Sequence, residues 1–368
     1  MRNGPPPLAP FETPAAWDAS TLRGDQSWTV QLTDAHRAEL LNALAHFKDA
    51  TQRRGMTAQW LHGTLMPPPA DFPLPTLGPV LRRARADLES RFGLVLLRGV
   101  PVADQSLKDL HLLHAGLAGQ VGTPRPQTVF GELVQDLRDV GQAPLKERRG
   151  SKHNRALAFH NDPCDVVSFL CVQPAASGGT ARFASSVAIH NALLRSAPAH
   201  VATLYGDLVH AYQEYLFVRT GWNHRLRPRA RTYRMPTFSV ADGHFACKYS
   251  RFYVDQAQEF PEVPRLGADQ RAALDAFEEE IAAPRWHVAH DYAPGDVVFI
   301  NNYVCFHART AFTDDAADAG RRRHLLRIWL AVPNSRPLSR KWKNQVFFRR
   351  VEAGAIRGGV PVPEATYE

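Results

Sequence analysis

The chain has little cysteine: four residues among 368 (Cys164, Cys171, Cys247 and Cys305), none of them in a C-x-x-C pair. That spacing gives neither a zinc knuckle nor a redox pair, and the thiols are expected to be reduced. No stretch reaches the ~20 consecutive apolar residues needed to span a bilayer. The opening "MRNGPPPLAPFETP" has no apolar segment of the kind a secretory signal carries, so a soluble protein of the cytoplasm, without a membrane partner, is expected. There is no repeat of fixed period, no low-complexity tract and no Lys-rich arm. The net charge of +8 comes from 44 Lys and Arg against 36 Asp and Glu, and its arginines are scattered. Scattered arginines make a solvated basic surface and not a nucleic-acid footprint, so no nucleic-acid partner is expected. An anionic small substrate remains compatible with them.

What is present is a globular composition, 44% hydrophobic and 22% charged, broken by 28 prolines. Residues 1–30 are rich in proline and polar groups and are expected to form an extended arm; 31–368 are expected to form a single domain. "LTDAHRAELLNALAHFKDA" predicts a helix capped by Thr33 or Asp34, with Leu40, Leu44 and Phe47 on one face. A second helix carries Leu77, Leu81, Ala84 and Leu88, and a third follows in "SLKDLHLLHAGLAGQVG", with Gly119 and Gly122 as stops. From about residue 155 the pattern changes to short apolar runs with Gly and Pro punctuation: "DVVSFLCVQP", "ASGGTARFAS", "GHFACKYSRFYV", "HVAHDYAPGDVVFINNYVCFH" and "RHLLRIWLAVP". Such runs predict strands of a sandwich or barrel, so the expected fold is α+β, a β-sandwich core wrapped by helices.

Within "AFHNDPCDVV", His160 and Asp162 stand two positions apart. On an extended strand i and i+2 point to one side, so the two can converge on one ion. A mononuclear iron site of two imidazoles and one carboxylate then needs a third ligand. Of 16 histidines, His307 has the best context: a Pro-Gly turn launches a β-forming run, "APGDVVFINNYVCFHART", that ends at it. A lone His-x-Asp is common by chance, and the downstream features carry the assignment.

"FHNDPCDVVSFLCVQPAASGGTARFASS", followed by "NNYVCFHART" and "RRRHLLRIWL", resembles the taurine dioxygenase-like family, which includes clavaminate synthase, over roughly residues 90–335. The resemblance implies a double-stranded β-helix (jelly-roll) with an iron triad at its mouth. It further implies Fe(II) as metal, with 2-oxoglutarate and O2 as cosubstrates, giving succinate, CO2 and oxidation of a substrate C–H bond. Matched to the family pattern, His160, Asp162 and His307 are the metal ligands, while Thr180 of "SGGTARF" and Arg323 and Arg327 of "RHLLR" bind the cosubstrate. The carboxylate at 162 argues against a halogenase.

The chemistry agrees, since the distal carboxylate of 2-oxoglutarate suits a bidentate arginine better than a lysine. Arg323 and Arg327 fall on one side of a strand, and two arginines aimed into one cavity are costly to bury without an anion. Arg323 is preferred for that carboxylate and Arg327 for the C1 carboxylate or the substrate; the insertion "FTDDAADAGRR" leaves the reverse open. For the substrate, Arg327 together with Lys248, Tyr249, Arg251 and Tyr253 of "CKYSRFYV", read as a strand, favours a small molecule bearing a carboxylate or another anion. Hydroxylation, desaturation and cyclisation are all compatible with the sequence. The basic stretch "WNHRLRPRARTYRMP" is either a lid or a solvated loop. The alternative class is a non-oxidative cupin-type metal isomerase or small-molecule binder, which has no need of Thr180 or the paired arginines. The sequence sets no oligomeric state.

Overall fold

The computed structural model describes residues 9–55, 66–128, 130–141, 152–212, 231–315, 322–344 and 346–360. The stretch expected as an extended arm forms a short helix, α1 (Ala19–Gly24), capped by Asp18, then strand β1 (Thr29–Gln31). Trp17, Leu22 and Trp28 are buried, so apolar anchoring overrides the prolines around them. Helix α2 (Asp34–Arg53) begins as expected, with Thr33 accepting from the His36 amide. Helix α3 (Leu77–Ser90), strand β2 (Leu94–Arg98) and helix α4 (Leu107–Val121) follow; Gly119 lies inside α4, and Gly122 alone ends it.

Short strands β3 (Thr123–Arg125) and β4 (Val134–Leu137) lead to β5 (Leu157–His160), β6 (Val166–Gln173), β7 (Ser177–Gly178) and β8 (Ala181–Ser185). Helices α5 (Ser186–Ser196) and α6 (Pro198–Leu204) precede β9 (Asp207–Ala211), β10 (Thr232–Pro236), β11 (Phe238–Ala241) and β12 (His244–Cys247). The run "CKYSRFYV" is not one strand. It leaves β12 at Cys247 and becomes helix α7 (Arg251–Ala257), followed by α8 (Ala268–Ala282). The last strands are β13 (His287–His290), β14 (Val297–Asn301), β15 (Cys305–Arg309), β16 (Phe312–Thr313) and β17 (His324–Ala331). Thus the run expected to end at His307 is two strands, broken by a turn after Asn301, with His307 in the middle of the second.

Two sheets face each other. The larger has the order β1-β2-β14-β6-β17-β3, with β4 also on β17; the smaller is β13-β8-β15-β5. Alternation decides what each strand gives to each side. On β17, Leu326, Ile328 and Leu330 join the core shared with α2, α3 and α4, while Leu325 and Trp329 join the core between the sheets. Because both faces are covered, every residue of β17 is buried. Arg327 therefore enters the interior with Leu325 and Trp329. Among the described residues no helix is long and apolar enough to cross a membrane. Of the basic stretch read as a lid or loop, residues 222–230 lie outside the described residues, and Thr232–Pro236 is β10.

The C-terminal segment straps the turn after β5. Arg357 Nε donates to Asp165 at 2.7 Å, Tyr303 donates to the same oxygen at 2.6 Å, and the Val332 amide donates to the other at 3.0 Å. Gly358 has φ +78°, and a Cβ there would lie 2.8 Å from both Cys164 Cα and the Pro163 carbonyl, so only glycine fits. Arg357 and Asp165 are both buried, so removing one partner strands the other's charge. Arg357→Met is expected to lower unfolding stability by about 3–5 kcal/mol, read as a shift in the denaturation midpoint with an unchanged slope.

Candidate metal centre and cosubstrate pocket

β5 and β15 are antiparallel neighbours in which His160 and His307 are register partners. Partners across a ladder project to one face, and the two imidazole centroids are 4.3 Å apart. Asp162 is not on the strand as expected. β5 ends at His160, and the chain turns, the Asp162 carbonyl accepting from the Cys164 amide at 2.9 Å while its own amide donates to Asn302 Oδ1 at 3.0 Å. The turn brings the carboxylate back to the imidazoles. One ligand atom from each of His160, Asp162 and His307 lies within 4.8 Å of the others.

Burial by itself would raise the Asp162 carboxyl. The Arg327 guanidinium, and after it Lys248, hold it well below the ordinary carboxylate range. Burial lowers the His160 imidazole, and burial together with His160 pushes His307 far down, so both rings are neutral. His160 Nδ1 donates to the Ala158 carbonyl at 2.8 Å, which leaves Nε2 with a free lone pair. His307 Nδ1 is buried without a hydrogen-bond partner. Two neutral imidazoles and one fixed anion fit a divalent first-row cation with open positions.

The larger sheet holds the carboxylate from behind. Trp329 Nε1 donates to Asp162 Oδ2 at 2.9 Å and Arg327 at 3.2 Å, while Arg327 Nε donates to Gln127 Oε1 at 2.7 Å. Sequence reading missed Trp329 and Gln127. Trp329 was within reach of it, because the alternation that paired Arg323 with Arg327 continues to position 329. Gln127 carried no signal.

Arg323 and Thr180 meet elsewhere, lining a cavity of about 280 Å³ with Asp291, Tyr292 and Leu325. The Arg323 guanidinium lies over the Phe312 ring, 5.1 Å from its centroid. Gly179 has φ +74°, and a Cβ there would sit 3.2 Å from Arg323 Nε; the Gly-Gly turn leaves room for the arginine. Thr180 Oγ1 donates to Asp291 at 2.6 Å, a partner not foreseen. The structure thus separates the two arginines, Arg323 at this cavity and Arg327 against Asp162.

The four further substrate candidates do not act together. Tyr249 donates to Glu278, and Arg251 pairs with Asp255 and Asp275 at 2.9 Å, so both are bound to other parts of the fold. Tyr253 lies on α7. Lys248 is buried and donates to the Asn161 carbonyl, between two of the triad residues.

A jelly-roll in which two histidines and an aspartate converge, with a separate cavity lined by an arginine, defines a class: the Fe(II)- and 2-oxoglutarate-dependent dioxygenases. The chain belongs to the taurine catabolism dioxygenase TauD, TfdA family, whose description matches residues 57–329. Membership makes it a dioxygenase using iron and 2-oxoglutarate and sets aside the cupin-type alternative. It is 30% identical to FR-33289 synthase of Streptomyces rubellomurinus, over 88% of this chain and 90% of that one. With the taurine hydroxylase-like protein SAT17 of Stachybotrys chartarum it shares 28%, over 85% and 77%. Similar solved folds include the oxygenase OrfP with Fe, succinate and (3S)-hydroxy-L-Arg (TM-score 0.61, 15% identity, 90% of this chain and 99% of that one). Another is asparagine oxygenase with Fe(II), 2S,3S-3-hydroxyasparagine and succinate (TM-score 0.56, 18%, 82% and 93%).

Trp329→Phe keeps the ring and removes one of the hydrogen bonds that orient Asp162. It is expected to weaken Co(II) or Fe(II) binding about 10- to 100-fold, measured by equilibrium dialysis, with the thermal midpoint of the metal-free protein little changed.

Proposed function

We propose that His160, Asp162 and His307 hold Fe(II), that Arg323 and Thr180 receive the distal carboxylate of 2-oxoglutarate, and that the enzyme oxidises a C–H bond of a small carboxylate-bearing molecule. The observation that carries this reading is the convergence of the three ligand atoms within 4.8 Å on two neutral rings and one anion. Fe(II) bound there would supply the redox chemistry, O2 reduction coupled to decarboxylation of 2-oxoglutarate to succinate and CO2 and to oxidation of the substrate.

The chain's own groups do the rest. Burial keeps both imidazoles unprotonated and available as ligands. Trp329 and Arg327 fix the carboxylate's orientation, and Asn302 fixes the turn that presents it. Arg323 offers its fork to a carboxylate in a cavity where burial already disfavours an unpaired guanidinium. Thr180 supplies hydroxyl lone pairs and a proton that Asp291 holds until a ligand competes for it. The substrate class is supported by the amino-acid products named with the similar folds, hydroxyasparagine and hydroxyarginine. Hydroxylation, desaturation and cyclisation all begin from the same hydrogen removal.

His160→Ala, Asp162→Ala and His307→Ala are each expected to abolish Fe(II)-dependent conversion of 2-oxoglutarate to succinate while circular dichroism stays native. Retained turnover in the His307 variant would move the third ligand to another histidine.

Arg323→Ala is expected to raise the 2-oxoglutarate concentration for half-saturation by roughly 10- to 100-fold, the loss of one charge-assisted contact. A larger effect on 2-oxoglutarate from Arg327→Ala would exchange the two arginines' roles.

A further inference from the structure

Residues 357–360, "RGGV", stand far from the metal ligands in sequence, yet they sit between the loop that carries Asp162 and the loop that carries the partner of Arg327. Each of the two glycines abuts one loop. A Cβ on Gly358 would lie 2.8 Å from Cys164 Cα and from the Pro163 carbonyl oxygen; one on Gly359 would lie 2.6 Å from Arg125 Cβ and 2.9 Å from the Pro126 carbonyl oxygen. Both have φ +78°, so conformation and space alike bar a side chain. The backbone hydrogen bonds also divide between the loops. The Gly359 amide donates to the Pro163 carbonyl at 2.9 Å, and the Val360 amide donates to the Pro126 carbonyl at 2.7 Å. Arg125 Nε donates to the Gly358 carbonyl at 3.1 Å, and Arg357 Nε donates to Asp165 at 2.7 Å.

Each loop sets one side of the carboxylate. Pro163 follows Asp162 directly, and Gln127 follows Pro126 directly. Gln127 holds Arg327 by both ends of its amide: Oε1 accepts from Arg327 Nε, and Nε2 donates to the Arg327 carbonyl, each at 2.7 Å. Arg327 in turn donates to Asp162 at 3.2 Å. The links close into a ring that runs from the strap through Pro163, Asp162, Arg327, Gln127 and Pro126 back to the strap. Every step in it is a covalent neighbour or a hydrogen bond. Undocking the strap therefore loosens the carboxylate and the guanidinium that orients it together, and a ligand whose supporting partners relax loses metal affinity.

We infer, resting on the site assignment under Proposed function, that residues 357–360 are a positioning segment of the metal centre, and that docking of this strap and loading of the metal are thermodynamically linked. Linkage is reciprocal: whatever factor the docked strap adds to metal affinity, the bound metal adds to the docking equilibrium of the strap. The metal-free enzyme accordingly opens its C-terminal strap more often than the loaded one. A strap that only supported the fold would stabilise both forms alike.

The test compares the full-length wild type with Gly359→Ala, Arg357→Met and Arg357→Lys, and with Leu81→Ala, which is destabilised in the core under α3 away from the site. Each is prepared metal-free, its native circular dichroism is checked, and Co(II) is titrated in by equilibrium dialysis and by the visible absorption of the bound ion. Gly359→Ala and Arg357→Met are expected to bind Co(II) roughly 10-fold more weakly with an altered absorption band. Arg357→Lys, which keeps a cation for Asp165, recovers part of the loss, and Leu81→Ala binds as the wild type does. In the wild type, amide exchange at residues 358–360 is expected to slow roughly 10-fold on saturation with Co(II), while the first turn of α2 is unchanged; this measurement decides if the strap variants do not fold. Equal Co(II) affinity in the wild type and Gly359→Ala, an equal loss in Leu81→Ala, or exchange at residues 358–360 that is indifferent to Co(II) overturns the proposal. A wild type that binds no Co(II), or a His307→Ala variant that binds it equally well, overturns the site assignment and the proposal with it.

Discussion

A carboxylate buried in the middle of a jelly-roll is the constraint on which this structure turns. Asp162 is costly to place there as an anion, and it stays ionised because both sheets contribute to it. The smaller sheet brings two imidazoles, while the larger brings an indole N–H and a guanidinium from β17. Neither sheet could do this alone, and the demand fixes the register of β17 against the turn after β5. A one-residue slip would send Arg327 and Trp329 to the helix side and bring Leu326 and Ile328 inward.

The same demand explains the density of polar contacts around residues 161–165. Asn302 holds the Asp162 amide, Asn161 is laced to Tyr249 and Cys305, and Asp165 is clamped by Tyr303, Arg357 and the Val332 amide. A turn of a few residues is thus pinned from three separate parts of the chain, including a segment near its C-terminal end. A metal site needs ligand atoms fixed to a fraction of an ångström, and a loop gains that precision only from what surrounds it.

The buried cations are kept apart in the fold. Arg323 lies at one cavity with Thr180 and Gly179, just before β17 and apart from Arg327. Arg327 is spent on the Asp162 carboxylate, and Lys248, just past β12, donates to the Asn161 carbonyl.

Much of this was legible in the sequence. Alternation and Gly/Pro punctuation announced a β core wrapped by helices, apolar spacing located α2, α3 and α4, and the His-x-Asp and distant His motifs marked three residues that the fold brings together. These features are local, because they depend on period and on nearest neighbours along the chain. What only the tertiary structure decided is non-local. It broke the run before His307 into two strands and turned "SRFYV" into a helix, and it anchored the N-terminal stretch through Trp17 and Trp28. It also set Arg323 and Arg327 apart and gave Tyr249 and Arg251 partners elsewhere in the fold. Each of these depends on a partner far away in sequence, Glu278 for Tyr249, Asp275 for Arg251, Asp162 and Gln127 for Arg327. A residue's type and spacing state what it can bind, and only the packed fold states which partner reaches it first.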